Sequence, residues 1–336
     1  LHHRGVRNAT QSLFSKIIDY NFCTMGKYFR GLGFVLILII SVIITGCSHQ
    51  TVSSSAELTA TMTPFQPQVP ASATPTTTPP PTPTPLPTEE TETPEEHPQF
   101  APQELGPGEV TVPILLYHHV SDTLQTQYSV TTSALDEQMN WLYQNGYQTI
   151  TVTELAHLIR EGGTAPGRPV IITFDDGWLD LYENAYPILR KYGFQGTAYI
   201  VANAVNAQGN LSAEQLKELI DEGWEIGSHG LNHIDLTKSD GWQEEITASK
   251  AYLEKVLGIE ILTFAYPYGV ADIGVMNYTF SAGYTSAVGL GSTATHSRST
   301  LYYLSRMEVK SWHGLDFFEE IMPWSDKKGS PVSESP

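Results

Sequence analysis

Cysteine is nearly absent, with two in 336 residues. Cys23 lies near the N-terminus and Cys47 closes an apolar run, so the remainder of the chain holds no disulfide and must be stabilised by a packed core. Basic residues are scarce as well: 18 Lys and Arg face 36 Asp and Glu, a formal charge of −18. Five of the bases (Arg4, Arg7, Lys16, Lys27, Arg30) and one acid (Asp19) precede Cys47, so the part from Cys47 onward carries −22. That balance argues against nucleic acid and anionic membrane surfaces as partners and disfavours strongly anionic polymers as substrates. Two catalytic signatures are missing. There is no Gly-x-Ser-x-Gly elbow of a serine hydrolase, and Gly230, not Glu, follows His229, which rules out the helical His-Glu-x-x-His of zinc proteases.

Long apolar runs are limited to Gly31 to Gly46, shorter than the roughly 20 residues of a membrane-spanning helix. Preceded by Lys27 and Arg30, this stretch reads as the core of a signal peptide over 25–46, starting at Met25. Residues 1–24, ahead of that candidate start, are read as a doubtful extension. Ile44-Thr45-Gly46-Cys47 resembles the lipobox of bacterial lipoproteins, which implies a lipidated Cys47 and an exported protein anchored to the outer face of the cell membrane, an uncleaved signal anchor being the alternative. Between Thr59 and Pro94, 23 of 36 residues are Thr or Pro, so 47–107 is expected to be an extended, disordered linker. A catalytic domain over 108–322 and a disordered tail over 323–336 complete the expected organisation, with the protein acting as a monomer.

Within the domain, strand and helix alternate. A strand is expected from Val110 to Tyr117, then helices capped by Ser133 and Thr153, and a strand Val170 to Phe174. A helix over Asp180 to Tyr192, a strand Thr197 to Val201, and a Ser212-capped helix to Glu222 follow. Next come a strand Trp224 to Ser228, a helix Trp242 to Leu257, a strand Leu262 to Tyr266 and a helix near Val270 to Ala282. Strands at Thr285 to Val288 and Tyr302 to Val309 close the series. Such alternation implies an α/β fold with a parallel sheet, most simply a barrel, whose function collects at the carboxyl ends of its strands.

The stretch Val170-Ile171-Ile172-Thr173-Phe174-Asp175-Asp176-Gly177 runs a two-sided buried strand into two adjacent carboxylates. Two like charges so close need a cation beside them. His229 and His233, four apart just past another strand, could join Asp176 as three ligands of a divalent ion. Three protein ligands leave a position for water, the open arrangement of a catalytic site. Ordinary turn formers and a chance His-x3-His are the competing readings of each motif alone.

Thr173-Phe174-Asp175-Asp176-Gly177, His229 to His233, and Phe264-Ala265-Tyr266-Pro267-Tyr268-Gly269 together resemble the first three motifs of the polysaccharide deacetylase family of carbohydrate esterases. The resemblance implies a distorted (β/α) barrel and a divalent metal, zinc or alternatively cobalt or nickel. It also implies hydrolysis of acetyl groups from an acetylated polysaccharide. Carried onto this chain, it makes Asp175 the general base and Asp176, His229 and His233 the metal ligands. The backbone N–H of Tyr268 would hold the oxyanion. The family's late Leu-x-His is missing after Tyr268, whereas Leu116-Tyr117-His118 matches it at the start of the domain. That placement resembles the permuted branch that includes poly-N-acetylglucosamine deacetylases, and it makes His118 the general acid, with neighbouring His119 pointing elsewhere.

Two departures stand out. Ala265 occupies the place of the family arginine that orients the base, and Arg306 is a candidate to replace it, an ordinary salt-bridge arginine being the alternative. The family's Asp-x-x-Asp-Trp motif is also missing. Trp178, Tyr266, Pro267 and Trp312 are the candidate sugar contacts, with core packing as the alternative for Trp312. The function expected is removal of N-acetyl groups from an N-acetylglucosamine polymer. An O-acetyl esterase on xylan or another glycan, and a glycan-binding domain without turnover, are the alternatives.

Overall fold

The computed structural model describes residues 98–324; the expected signal peptide, Cys47, nearly all of the linker and most of the tail lie outside the described residues. Among the described residues no helix is long and apolar enough to cross a membrane. Eight parallel strands build the centre: β1 (Ile114–Tyr117), β2 (Gln148–Thr149), β3 (Pro169–Phe174), β4 (Thr197–Ile200), β5 (Glu225–Ser228), β6 (Thr263–Ala265), β7 (Ser286–Val288) and β8 (Met307–Glu308). Their order is β7-β6-β5-β4-β3-β1-β8, with β2 pairing the start of β3. A parallel bridge between Val288 and Leu304 joins β7 to the segment leading into β8, bringing the two ends of the sheet together. This is the expected (β/α) barrel, distorted by its short strands.

The period-2 alternation of β3 explains how it carries a site. Val170, Ile172 and Phe174 pack outward into the large cluster with the helices. Ile171 faces the other way, into a cluster with Ile114, Tyr199, Ala265, Val288 and Leu304, which come from the other strands. Thr173 and Asp175 share the inward parity, and so do Leu116 on β1 and His118 just past its end. Register completes the placement: Tyr117 pairs Phe174, so the two chains leave the sheet side by side as His118 and Asp175. Gly227 on β5 is required by this interior, because a Cβ there would lie 2.4 Å from the Tyr199 ring.

Among the described residues seven helices surround the sheet: α1 (Thr132–Gln144), α2 (Val152–Glu161), α3 (Tyr186–Lys191), α4 (Ala213–Asp221), α5 (Trp242–Leu257), α6 (Ile273–Ser281) and α7 (Leu315–Ile321). Two caps differ from expectation. Thr131, not Ser133, caps α1, and Thr151, not Thr153, caps α2 through a capping box with Glu154. Thr153 is occupied elsewhere, donating its hydroxyl and backbone N–H to the half-buried Glu225. Residues 181–185 ahead of α3 form a π-helical turn, with Tyr186 N–H bonded to Leu181 O, where the Pro187 ring would clash with the Glu183 carbonyl in an α-helical register. Pro113 splits the expected first strand into Val110–Thr111 and β1. Secondary structure also begins earlier than 108: Gln103–Leu105 pairs antiparallel with Gly163–Ala165, within the segment expected to be linker.

At the amino-terminal end of the barrel, Thr295–His296 pairs antiparallel with Val110–Thr111. His296 is buried, its Nε2 3.1 Å from the Val112 carbonyl, and burial lowers its pKa from 6.5 to about 4 against that hydrogen bond. As pH falls from 6.5 towards 4, the unfolded chain binds a proton that the folded chain refuses, so stability is lost across that window. His296→Gln keeps a donor for Val112 and removes the titration. We expect the loss of unfolding free energy between pH 7 and 4.5, measured by urea titration, to shrink by about 2 kcal/mol. An unchanged difference would contradict this account of His296.

Candidate active site

The carboxyl ends of β1, β3, β5 and β6 and the approach to β8 converge on two adjacent carboxylates. Asp175 is buried and held in a two-pronged ion pair by the equally buried Arg306, Nη1 to Oδ1 at 2.6 Å and Nη2 to Oδ2 at 2.7 Å. Arg306 also donates to Gly289 O and Thr173 Oγ1 and lies over the Tyr199 ring. Burial drives the Asp175 carboxyl upward, but the Arg306 guanidinium and His229 outweigh it and leave it lowered to about 2. The orienting cation whose place Ala265 vacates is thus supplied by the segment leading into β8. The expectation that Arg306 replaces it is met in geometry.

Asp176 follows with a left-handed backbone (φ 73°), as does Gly177 (φ 77°), and both carboxylates approach His229 Nε2 at 3.6 Å. Asp176 Oδ1 lies 3.5 Å from His233 Nε2 and 3.6 Å from His229 Nε2. Burial lowers the pKa of His229, favouring the neutral ring that a ligand must be. Its Nδ1 is 2.8 Å from the carbonyl of Ala265, which assigns the proton to Nδ1 and leaves Nε2 free. His233 (φ 58°) is held by the loop around it. The buried Glu245 on α5 accepts from the Leu231 and Asn232 backbone N–H groups and from the Asn232 side chain. One atom each of Asp176, His229 and His233 falls within a 4.8 Å cluster. Ligands at about 2.0–2.1 Å in tetrahedral array stand roughly 3.4 Å apart, so two imidazoles and a carboxylate at these separations fit zinc or a similar divalent ion.

His118 is half-buried beside these groups, against the Tyr128 ring at 5.1 Å. Its Nδ1 is enclosed without a hydrogen-bond partner among the described residues. Burial lowers its pKa, opposed by the charges of Asp175 and Asp176. Tyr268 occupies a left-handed turn (φ 60°) and packs its exposed ring edge-on to His233 at 4.6 Å. Three of the four non-glycine residues with positive φ among those described are therefore at this site, where surrounding contacts hold the strain.

The polysaccharide deacetylase family model matches residues 162–287. The Bacillus subtilis protein YxkH, itself assigned to the polysaccharide deacetylases, is 30% identical over 200 residues, covering 59% of this chain and 71% of its own. This chain belongs to the polysaccharide deacetylase family. The poly-beta-1,6-N-acetyl-D-glucosamine N-deacetylase of Staphylococcus aureus is similar too, 28% identical over 223 residues, covering 62% of this chain and 75% of the relative. Among solved structures, the Streptococcus pyogenes deacetylase PplD in complex with acetate superposes with a TM-score of 0.60 at 25% identity, covering 63% of this chain and 98% of that one. IcaB from Ammonifex degensii gives 0.55 at 25% identity, covering 66% and 98%.

Polysaccharide deacetylases are metal-dependent, and the Asp176–His229–His233 cluster is where this deacetylase offers ligands. The aromatic residues divide differently from the expectation. Tyr266 is fully buried, its hydroxyl donating to Tyr302 O, because strand alternation turns it onto the helix side next to Phe264. Pro267 is buried against the histidine loop near Gly230. Neither side chain is placed to stack on a sugar in this deacetylase. Trp178 is only partly exposed, one face lying on His119 and its indole N–H donating to Asp176 Oδ2 at 3.0 Å. Trp312 is 62% exposed beside Lys310, so the core-packing alternative is discarded. Glu245 escaped the sequence reading entirely, since only the fold brings a residue of α5 under the histidine loop.

Proposed function

We propose that this chain is a metal-dependent N-deacetylase of a β-linked N-acetylglucosamine polysaccharide. The observation that carries the proposal is the ionised Asp175, clamped by Arg306 directly beside the Asp176–His229–His233 cluster. The Staphylococcus aureus relative, named for poly-beta-1,6-N-acetyl-D-glucosamine, supports the choice of polymer. A divalent ion, zinc by its donor set, would supply Lewis acidity towards the acetyl carbonyl and activate the hydrolytic water. Asp175 takes the proton of that water, its lone pairs aimed by the Arg306 fork. The backbone N–H of Tyr268, in its strained turn, stabilises the oxyanion. His118, set beside Asp175 by strand register, gives its proton to the leaving amine. Exposed Trp312 offers the sugar a stacking face.

We further place the enzyme outside the cell, tethered by a lipidated Cys47 and carried on the Thr- and Pro-rich stretch. The charged segment from Met25 and the apolar run ending in Ile44-Thr45-Gly46-Cys47 support that placement.

An amine leaves far less readily than an alcohol, so the acid matters more for an amide than for an ester. His118→Ala is expected to lower acetate release from N-acetylglucosamine oligomers about 10³-fold, and from acetylated xylan at least ten-fold less severely. Equal losses on the two would remove His118 as the acid. Wild-type turnover confined to the xylan would replace the N-deacetylase with an O-acetyl esterase.

A further inference from the structure

Resting on the metal reading of Asp176, a second group of side chains behind it has a role of its own. Asp176 has two carboxylate oxygens, and only Oδ1 faces the two histidines. Oδ2 accepts the indole N–H of Trp178 at 3.0 Å. The Trp178 ring is stacked on His119, centroids 4.7 Å apart and planes inclined at 29°. His119 in turn places Nδ1 2.8 Å from Asp180 Oδ2. Asp180 has its other oxygen enclosed without a hydrogen-bond partner among the described residues. A carboxylate sheltered in this way is retained at a cost unless its one bond matters.

The peptide of Trp178 is fixed independently. It bridges antiparallel to Asn210, with Leu179 N–H to Gly209 O and Leu211 N–H to Gly177 O. The backbone is therefore anchored, and what remains to be set is the rotation of the indole. His119 leaves β1 on the opposite parity from His118, which puts it outside the reacting centre and against that indole.

We propose that Asp180, His119 and Trp178 form a positioning unit: the Asp180-oriented His119 ring holds the Trp178 indole, whose N–H pins Asp176 Oδ2 and presents Oδ1 to the metal. These are positioning residues, acting on affinity for the ion and touching neither substrate nor reacting atoms. Partners of this kind behind a ligand typically change metal affinity 10- to 100-fold.

The test uses the full chain and zinc alone, with dissociation constants from competition against a fluorescent chelator. Trp178→Phe, which keeps a ring on His119 and loses the N–H, is expected to weaken zinc binding 10- to 100-fold. Asp180→Asn, a conservative change, is expected to weaken it several-fold. The Trp178→Phe/Asp180→Asn double variant is expected to bind no worse than Trp178→Phe, because Asp180 acts only through the indole. Unchanged affinity in Trp178→Phe would overturn the proposal, and so would losses that multiply in the double variant, which is what two separate packing defects produce. Asp176→Ala is the control on the underlying reading. If it alone abolishes zinc binding while Trp178→Phe changes nothing, the ligand assignment stands and the positioning unit falls; if Asp176→Ala binds zinc like wild type, both fall.

Discussion

Replacing Arg306 with methionine is expected to lower kcat/KM for acetate release about 10³-fold and to reduce the unfolding free energy by about 3–5 kcal/mol. Both effects come from one geometry. Asp175 and Arg306 are each almost wholly buried and share two hydrogen bonds of 2.6 and 2.7 Å. Removing the guanidinium leaves a buried carboxylate without its counter-charge, which accounts for the stability loss. It also frees the carboxylate to rotate away from the water it must deprotonate, which accounts for the rate. Arg306→Lys separates the two contributions. Lysine restores a positive charge but not the planar fork, so most of the stability should return while the rate stays about 10- to 100-fold down. Kinetics of acetate release and chemical unfolding on the same preparations measure both.

Asp175→Asn is the complementary change. The amide keeps the size of the side chain but cannot accept a proton at this pH, so kcat is expected to fall at least about 10³-fold while zinc affinity stays near that of wild type. Asparagine leaves the buried Arg306 charge unpaired, so this variant is also expected to be less stable. The Asp175→Asn/Arg306→Met double variant settles which loss is which. Without either charge the pocket should regain stability relative to both single variants, and activity should not return. Recovery of turnover in the double variant would mean that the pair is only structural.

Much of this site was legible because strand parity is a local property. The run Val170 to Phe174 announced a strand covered on both faces, and counting by twos along it and along Ile114 to Tyr117 sends Asp175 and His118 to the same interior. What local pattern does not contain is register between distant strands. Arg306 could be named as a candidate but not seated, because only the pairing of Met307 with Leu115 brings β8 against β1 and its neighbour β3. Thr153, the cap expected for α2, is instead held by the half-buried Glu225, and Thr151 caps the helix. The aromatic positions misled for the same reason: Tyr266 lies inside a family motif, yet parity sends its ring into the helix layer, and Trp178 serves Asp176 through its N–H instead of offering an open face.

The central claim is that the ligand cluster and the Asp175–Arg306 pair together remove N-acetyl groups from a glucosamine polymer. Its most direct test is acetate release from poly-β-1,6-N-acetylglucosamine by the full chain, measured as prepared, after chelation, and after zinc is restored. The account predicts release that disappears with the metal, returns with zinc, and is missing throughout in Asp175→Asn. Acetate release that persists in the chelated protein, or in Asp175→Asn, would contradict it.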